Sequence, residues 1–175
     1  MATGTADLTL LNDVVADKVL AAMRGASAQL SKIGVRHLLV GGLAVGAYGH
    51  PRATKDVNFL VGEEAFEHHA GGVVTMKAGM PIQVDGVVVD FLSAKAMHVP
   101  LDAPVPGAGV PVALLSTLLH LKLLSPRRKD WADVVELIKA GADTKQVRAY
   151  LEVQAPQLLS RWDAAVADAA AEEET

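Results

Sequence analysis

Asp56, Asn58 and Asp90 are the side chains best placed to do chemistry. Asp56-Val57-Asn58-Phe59 opens a run that reads as a strand to Val61. Strand side chains alternate, so Asp56 and Asn58 emerge on one face while Val57, Phe59 and Val61 take the other. Two oxygen-bearing groups therefore stand together at a sheet surface. Asp90 lies in a second apolar strand, Val87 to Leu92, sharing a face with Val88 and Leu92. A carboxylate in so apolar a strand is costly unless a cation or hydrogen-bond donors compensate it. Asp90 is thus a metal-ligand candidate, with a capping or salt-bridged aspartate as the structural alternative.

Upstream of Asp56, the pair Gly41-Gly42 follows an apolar run and heads a short small-residue helix, whose free N–H groups would face an anion. A plain structural turn would use the same glycines. Leu43 departs from the Rossmann glycine pattern, and Ala47 stands where a P-loop after Gly46 would need lysine. Pro51 ends the short helix, and His50 to Lys55 form a basic turn. Arg52 and Lys55 are either solvated charges or neutralisers of a phosphate, Arg52 offering a bidentate fork. Glycine pair, basic turn and carboxylates together describe a site for a metal-bound phosphate.

Those residues resemble the signature of the polymerase beta-type nucleotidyltransferase fold: a glycine pair at the head of a helix, an Asp-x-Asp or Asp-x-Glu strand, and a third carboxylate on a later strand. Gly41-Gly42, Asp56 and Asp90 take those places. Within the fold, the stretch Arg52-Ala53-Thr54-Lys55-Asp56 and the later Lys122…Arg127-Arg128-Lys129-Asp130-Trp131-Ala132-Asp133-Val134 resemble the AbiEii-type toxins and related uncharacterised bacterial proteins. The likeness runs from roughly Val35 to Ala140. It implies transfer of an NMP from an NTP to an RNA, protein or small-molecule hydroxyl with magnesium or manganese, and a toxin of a toxin–antitoxin pair. It implies catalytic Asp56, Asp90, Lys122 and Asp130, metal ligands Asp56, Asn58 and Asp90, and a nucleotide seat at Gly41, Gly42, Arg52, Thr54 and Lys55. Acceptors on this pattern include tRNA ends, and an antitoxin protein is an expected partner. Asn58 departs from the pattern where a second metal carboxylate belongs. It keeps an oxygen but loses a charge and is the weaker magnesium ligand. The alternative function is therefore a catalytically silent domain of the same fold that binds a nucleotide or a partner protein.

The elements that position these residues follow from periodicity. Leu8 to about Ile33 reads as a helix or a broken pair, with Gly25 as the interruption, and Val35 to Val40 as a buried strand. Glu63 to Ala70 reads as a short helix ending in His68-His69, whose rings would point about 100° apart and not chelate together. Asp85-Gly86 between apolar runs is a hairpin turn of type I′. Pro100 to Pro111 reads as an irregular loop or edge strand, and Val112 to Leu124 as a buried helix containing His120 and Lys122. Lys122 either snorkels from the last turn or reaches a phosphate or Asp130. Lys129 to Ala140 is a helix with Asp130 and Asp133 on one face, and Thr144 to Ala170 one or two helices split near Pro156. The expected fold is α/β (α+β): a small mixed sheet with flanking helices over 1–111 and a helical C-terminal half over 112–175, packed as one unit.

Size and composition fit that fold. The 175 residues suffice for one domain, and the absence of cysteine excludes disulfides, thiolate metal sites and cysteine nucleophiles. The first twenty residues lack a signal-peptide layout and no apolar run would span a bilayer, so a cytoplasmic protein is expected. A net charge of −4 argues against a chain-wide nucleic-acid footprint, although a local basic patch can still hold phosphates.

Overall fold

The computed structural model describes residues 4–101, 103 and 109–175. Its centre is a four-stranded mixed sheet of β1 (His37–Val40), β2 (Val57–Val61), β6 (Val87–Ser93) and β5 (Gln83–Val84), in that order. β1 and β2 are antiparallel, β2 and β6 parallel, and β5 and β6 antiparallel. The β2–β6 register places Asn58 opposite Asp90 and Val57 opposite Val89, so Asn58 and Asp90 share one face. The opposite face carries Phe59 and Phe91, stacked with ring centres 6.4 Å apart. The fold is α/β, as the sequence implies.

One side of the sheet is covered by α1 (Asp17–Lys32), which buries Val19, Leu20, Met23, Ala26 and Leu30 at helical spacing. The chain before it makes only a one-turn 3₁₀ helix, Leu8–Leu11, and Gly25 does not interrupt α1. α2 (Gly41–Ala47) starts as soon as β1 ends. The Asp85-Gly86 hairpin has positive φ at both central residues, 47° and 81°, as a type I′ turn requires. A short helix, α3 (Ala94–Met97), follows β6 and is capped by Ser93.

Glu63 to Ala70 is not a helix. After a 3₁₀ turn at Glu63–Ala65, residues Phe66–His68 form β3 and pair antiparallel with β4 (Val74–Met76). β-branched Val74 and Thr75 opposite His68 and Glu67 favour a ribbon over a helical turn. Half of the Pro100 to Pro111 loop, residues 102 and 104–108, lies outside the described residues. Its end runs along β1, where Leu39 N donates to Pro111 O at 2.7 Å and Ala113 N donates to Leu39 O at 3.1 Å.

The C-terminal part is helical: α4 (Leu115–Leu124), α5 (Arg128–Lys139), α6 (Thr144–Gln154) and α7 (Leu159–Glu173). The break between α6 and α7 falls at Pro156, and α7 continues through the acidic end to Glu173. α4 starts three residues later than periodicity implies, because Val112 bridges to Leu39. No helix among the described residues is long and apolar enough to cross a membrane.

Gly46 lets α2 approach the 3₁₀ turn. A Cβ there would collide with Leu11 Cδ2, a fully buried side chain, and sit 3.3 Å from the Pro51 backbone. Gly46→Ala is expected to cost about 1–3 kcal/mol through overpacking. A urea midpoint at or above that of the wild type would refute this.

Candidate functional site

The carboxylate face of β2 and β6 forms the floor of a cavity of about 530 Å³ between the sheet and α4–α5. Every residue singled out from the sequence lines it: Gly41, Gly42, Arg52, Thr54, Lys55, Asp56, Asn58, Asp90, Lys122 and Asp130. Asp56 is exposed just before β2, Asn58 lies one pleat further on, and Asp90 is its in-register neighbour. Among the described residues, Asp56 and Asp90 have no side-chain hydrogen-bond or ion-pair partner. Asp90, like Asp56, is exposed to solvent, so water compensates both carboxylates and the burial cost expected for an aspartate in the apolar Val87 to Leu92 strand is not incurred. With the Asn58 amide they are a hard-donor set. Magnesium characteristically binds through one or two carboxylates while keeping several waters. Among the described residues no group of three His, Cys, Asp or Glu side chains could hold a metal, so Asp56 and Asp90 with the Asn58 amide offer a two-carboxylate donor set and no more.

The glycine pair is required by close approach. Gly41 has φ +71°, and a Cβ on it would lie 2.7 Å from Asn58 Nδ2. A Cβ on Gly42 would lie 2.9 Å from Thr54 Oγ1 and 3.2 Å from Arg52 Nη1. The basic turn therefore folds directly over the start of α2, and Thr54 Oγ1 donates back to Arg52 O at 3.1 Å to shape it.

Arg52 and Lys122 are not free cations. Arg52 makes a bidentate pair with Asp133, Nε to Oδ1 at 3.0 Å and Nη2 to Oδ2 at 2.9 Å, leaving Nη1 beside Gly42. Lys122 Nζ donates to Asp130 Oδ1 at 2.7 Å and Asp133 Oδ2 at 2.8 Å. Asp130 Oδ2 also accepts from Ser125 Oγ and from Arg127 Nε, the latter at 2.7 Å. Of the two destinations open to Lys122, the ion pair is the one adopted. Both aspartates are 2% exposed. Burial would raise the Asp130 carboxyl, but hydrogen bonds from Lys122, Ser125 and Arg127 outweigh it and bring it to about 2. Burial likewise opposes ionisation of Asp133, and the bonds from Arg52 and Lys122 override it and lower its pKa. Both stay ionised, so the network carries three cations on two carboxylates.

Asp133, Ser125, Arg127 and Lys129 were not singled out as site residues, yet Asp133 anchors the network and the other three line the cavity. The available signal was the three-residue spacing of Asp130 and Asp133, which puts both on one helix face beside Lys122. His68 and His69 lie elsewhere, in the β3–β4 ribbon: His68 faces Glu63 at 3.4 Å and His69 bonds Thr75 Oγ1 at 2.7 Å.

Two other histidines are core residues. His37 bonds Ser27 Oγ at 2.8 Å and Val35 O at 2.9 Å, and His120 bonds the Tyr150 hydroxyl at 2.9 Å. Burial lowers both pKa values, offset only in part for His37 by its bond to Val35. Below about pH 6.5 the unfolded chain binds protons that the folded chain refuses. The stability the neutral imidazoles provide is complete above that pH and declines as pH falls through it. Urea midpoints measured from pH 8 to 5 are expected to drop below pH 7, and a flat profile would contradict this.

No protein-family model matches the chain, and no curated protein matches it. Among solved structures, it is similar to an antigenic nucleotidyltransferase-like protein from Paracoccidioides brasiliensis, over 86% of this chain and 94% of that one, at 15% identity and a TM-score of 0.46. The AbiEii-type resemblance has no counterpart in these comparisons.

Proposed function

We propose that the cavity binds a nucleoside triphosphate with a divalent cation and transfers its nucleotidyl group to a hydroxyl acceptor. The observation carrying this reading is that Asp56, just before β2, and the in-register pair Asn58 and Asp90 line one cavity with Gly41-Gly42 and the basic turn. In such a transfer the acceptor oxygen forms a bond to the α-phosphorus, and the bond from that phosphorus to the bridging oxygen breaks. Pyrophosphate leaves with the bonding pair, and the hydroxyl proton passes to solvent.

Magnesium or manganese, held by Asp56 and Asp90, would neutralise phosphate charge and increase the acidity of the acceptor. The chain's own residues do the rest. Lys55, Arg52 Nη1 and Lys129 offset the triphosphate charge at the cavity wall. Asp133 fixes Arg52 so that its remaining nitrogen stays beside Gly42. Lys122 is a positioning residue, held between two aspartates. The acceptor on this reading is an RNA end, a protein hydroxyl or a small molecule, and a toxin role with a cognate antitoxin is the finer version.

Asn58 favours a second reading, a domain that binds nucleotide without turnover, because it removes one anionic metal ligand. Incubation with α-labelled NTPs, magnesium or manganese, and total tRNA is expected to give label transfer that Asp56→Ala abolishes. Nucleotide binding without transfer to any acceptor would leave the silent domain in its place, and Asn58→Asp would then be expected to tighten metal binding.

A further inference from the structure

A second cavity, also of about 530 Å³, is lined by Pro126, Arg127, Arg128, Trp131 and Arg161, with no carboxylate among them. It adjoins the first, because Arg127 lines both. Arg127 commits only Nε to Asp130, and its side chain is 73% exposed. Arg128 has no hydrogen-bond or ion-pair partner among the described residues. Arg161, from α7, holds its guanidinium 5.2 Å from the centre of the Trp131 ring and donates from Nη2 to Ser125 O at 3.3 Å. Trp131 Nε1 in turn donates to Asp168 at 3.0 Å, which fixes the indole.

Helix stability does not account for this cluster. Arg128 and Lys129 open α5, the end at which the helix dipole disfavours cations. Three arginines lining one cleft with Trp131, one of them over its ring, contrast with a chain whose net charge is −4. Guanidinium forks match phosphate oxygens, and an aromatic ring in the same cleft matches the alternation of phosphate and base along an unpaired strand. An acidic peptide would satisfy the arginines but would make no stack on the Trp131–Arg161 pair, where a base can lie against the planar guanidinium.

We infer that this cleft binds the phosphodiester backbone of a single-stranded nucleic acid and leads it toward the carboxylate cavity. The strand's role as acceptor rests on the nucleotidyl-transfer reading. Its binding does not.

The test uses the full chain, a short fluorescently labelled single-stranded RNA followed by anisotropy across a salt series, and a fluorescent NTP analogue as a separate probe of the carboxylate cavity. With three arginines on phosphates, the logarithm of RNA affinity is expected to fall against the logarithm of salt with a slope of about −2. Arg128→Ser combined with Arg161→Ser should weaken RNA binding by about 10-fold or more and shallow that slope, while NTP-analogue binding is retained and reports an intact fold. Absence of RNA binding by the wild type, or equal binding by the double variant, overturns the proposal. Displacement by poly-glutamate as effective as by unlabelled RNA also overturns it, in favour of an acidic-protein surface. RNA binding without any NTP binding would sink the transferase reading and leave this cleft standing.

Discussion

Replacing Lys122 with methionine is expected to lower folding stability by about 3–5 kcal/mol, the usual penalty for removing one partner of a buried ion pair. Methionine keeps most of the apolar stem, so lost packing contributes little. What disappears is the ammonium shared by Asp130 Oδ1 at 2.7 Å and Asp133 Oδ2 at 2.8 Å. Arg127 and Ser125 still serve Asp130, and Arg52 still serves Asp133, but nothing then separates two buried like charges. Asp130→Leu in the methionine background should recover part of the loss, because one of the two adjacent buried like charges goes with it. A cycle of the two single variants and the double variant gives that coupling directly. A drop under about 1 kcal/mol for Lys122→Met would mean the pair behaves as a solvated surface bridge.

That network also marks where reading the sequence stops. Strand alternation alone places Asp56 and Asn58 on one face of their strand, and Val88, Asp90 and Leu92 on one face of theirs. The parallel register joining Asn58 to Asp90 was not legible, because β2 and β6 are separated by the β3–β4 ribbon and the hairpin into β6. The resemblance supplied their convergence, and the pairing gives its geometry. Asp133 was visible only as a neighbour of Asp130 on a helix face. Its bidentate hold on Arg52 spans 81 residues and depends on how α5 sits against the basic turn, which no local pattern encodes.

The misread segment, Glu63 to Ala70, shows the opposite failure. Its local composition permits a helical turn, but pairing with Val74–Met76 decides otherwise, an outcome that propensity alone cannot weigh. The turn at Asp85-Gly86 was legible because only residues tolerant of positive φ suit both central positions. Local constraint is readable where the backbone demands a residue type. Partner choice is not.

Asp90→Asn separates the site's purpose from the fold's needs. Asp90 has no hydrogen-bond or ion-pair partner among the described residues, and it lines the same cavity as Asp56, so its charge adds repulsion and no compensating protein contact. The substitution preserves shape and should leave stability unchanged or raise it by under about 1 kcal/mol. On the nucleotidyl-transfer reading proposed above, activity should nonetheless fall roughly 100-fold or more, since even residues that only support a metal ligand typically cost 10–100-fold. Magnesium with NTP should stabilise the wild type by about 2.7 kcal/mol at one hundred times its dissociation constant, and the variant much less. Thermal melts with and without magnesium and NTP read both effects in one experiment. A variant that melts lower than the wild type without ligand would make Asp90 a structural residue, and equal stabilisation of both proteins by magnesium and NTP would remove it from the cation site.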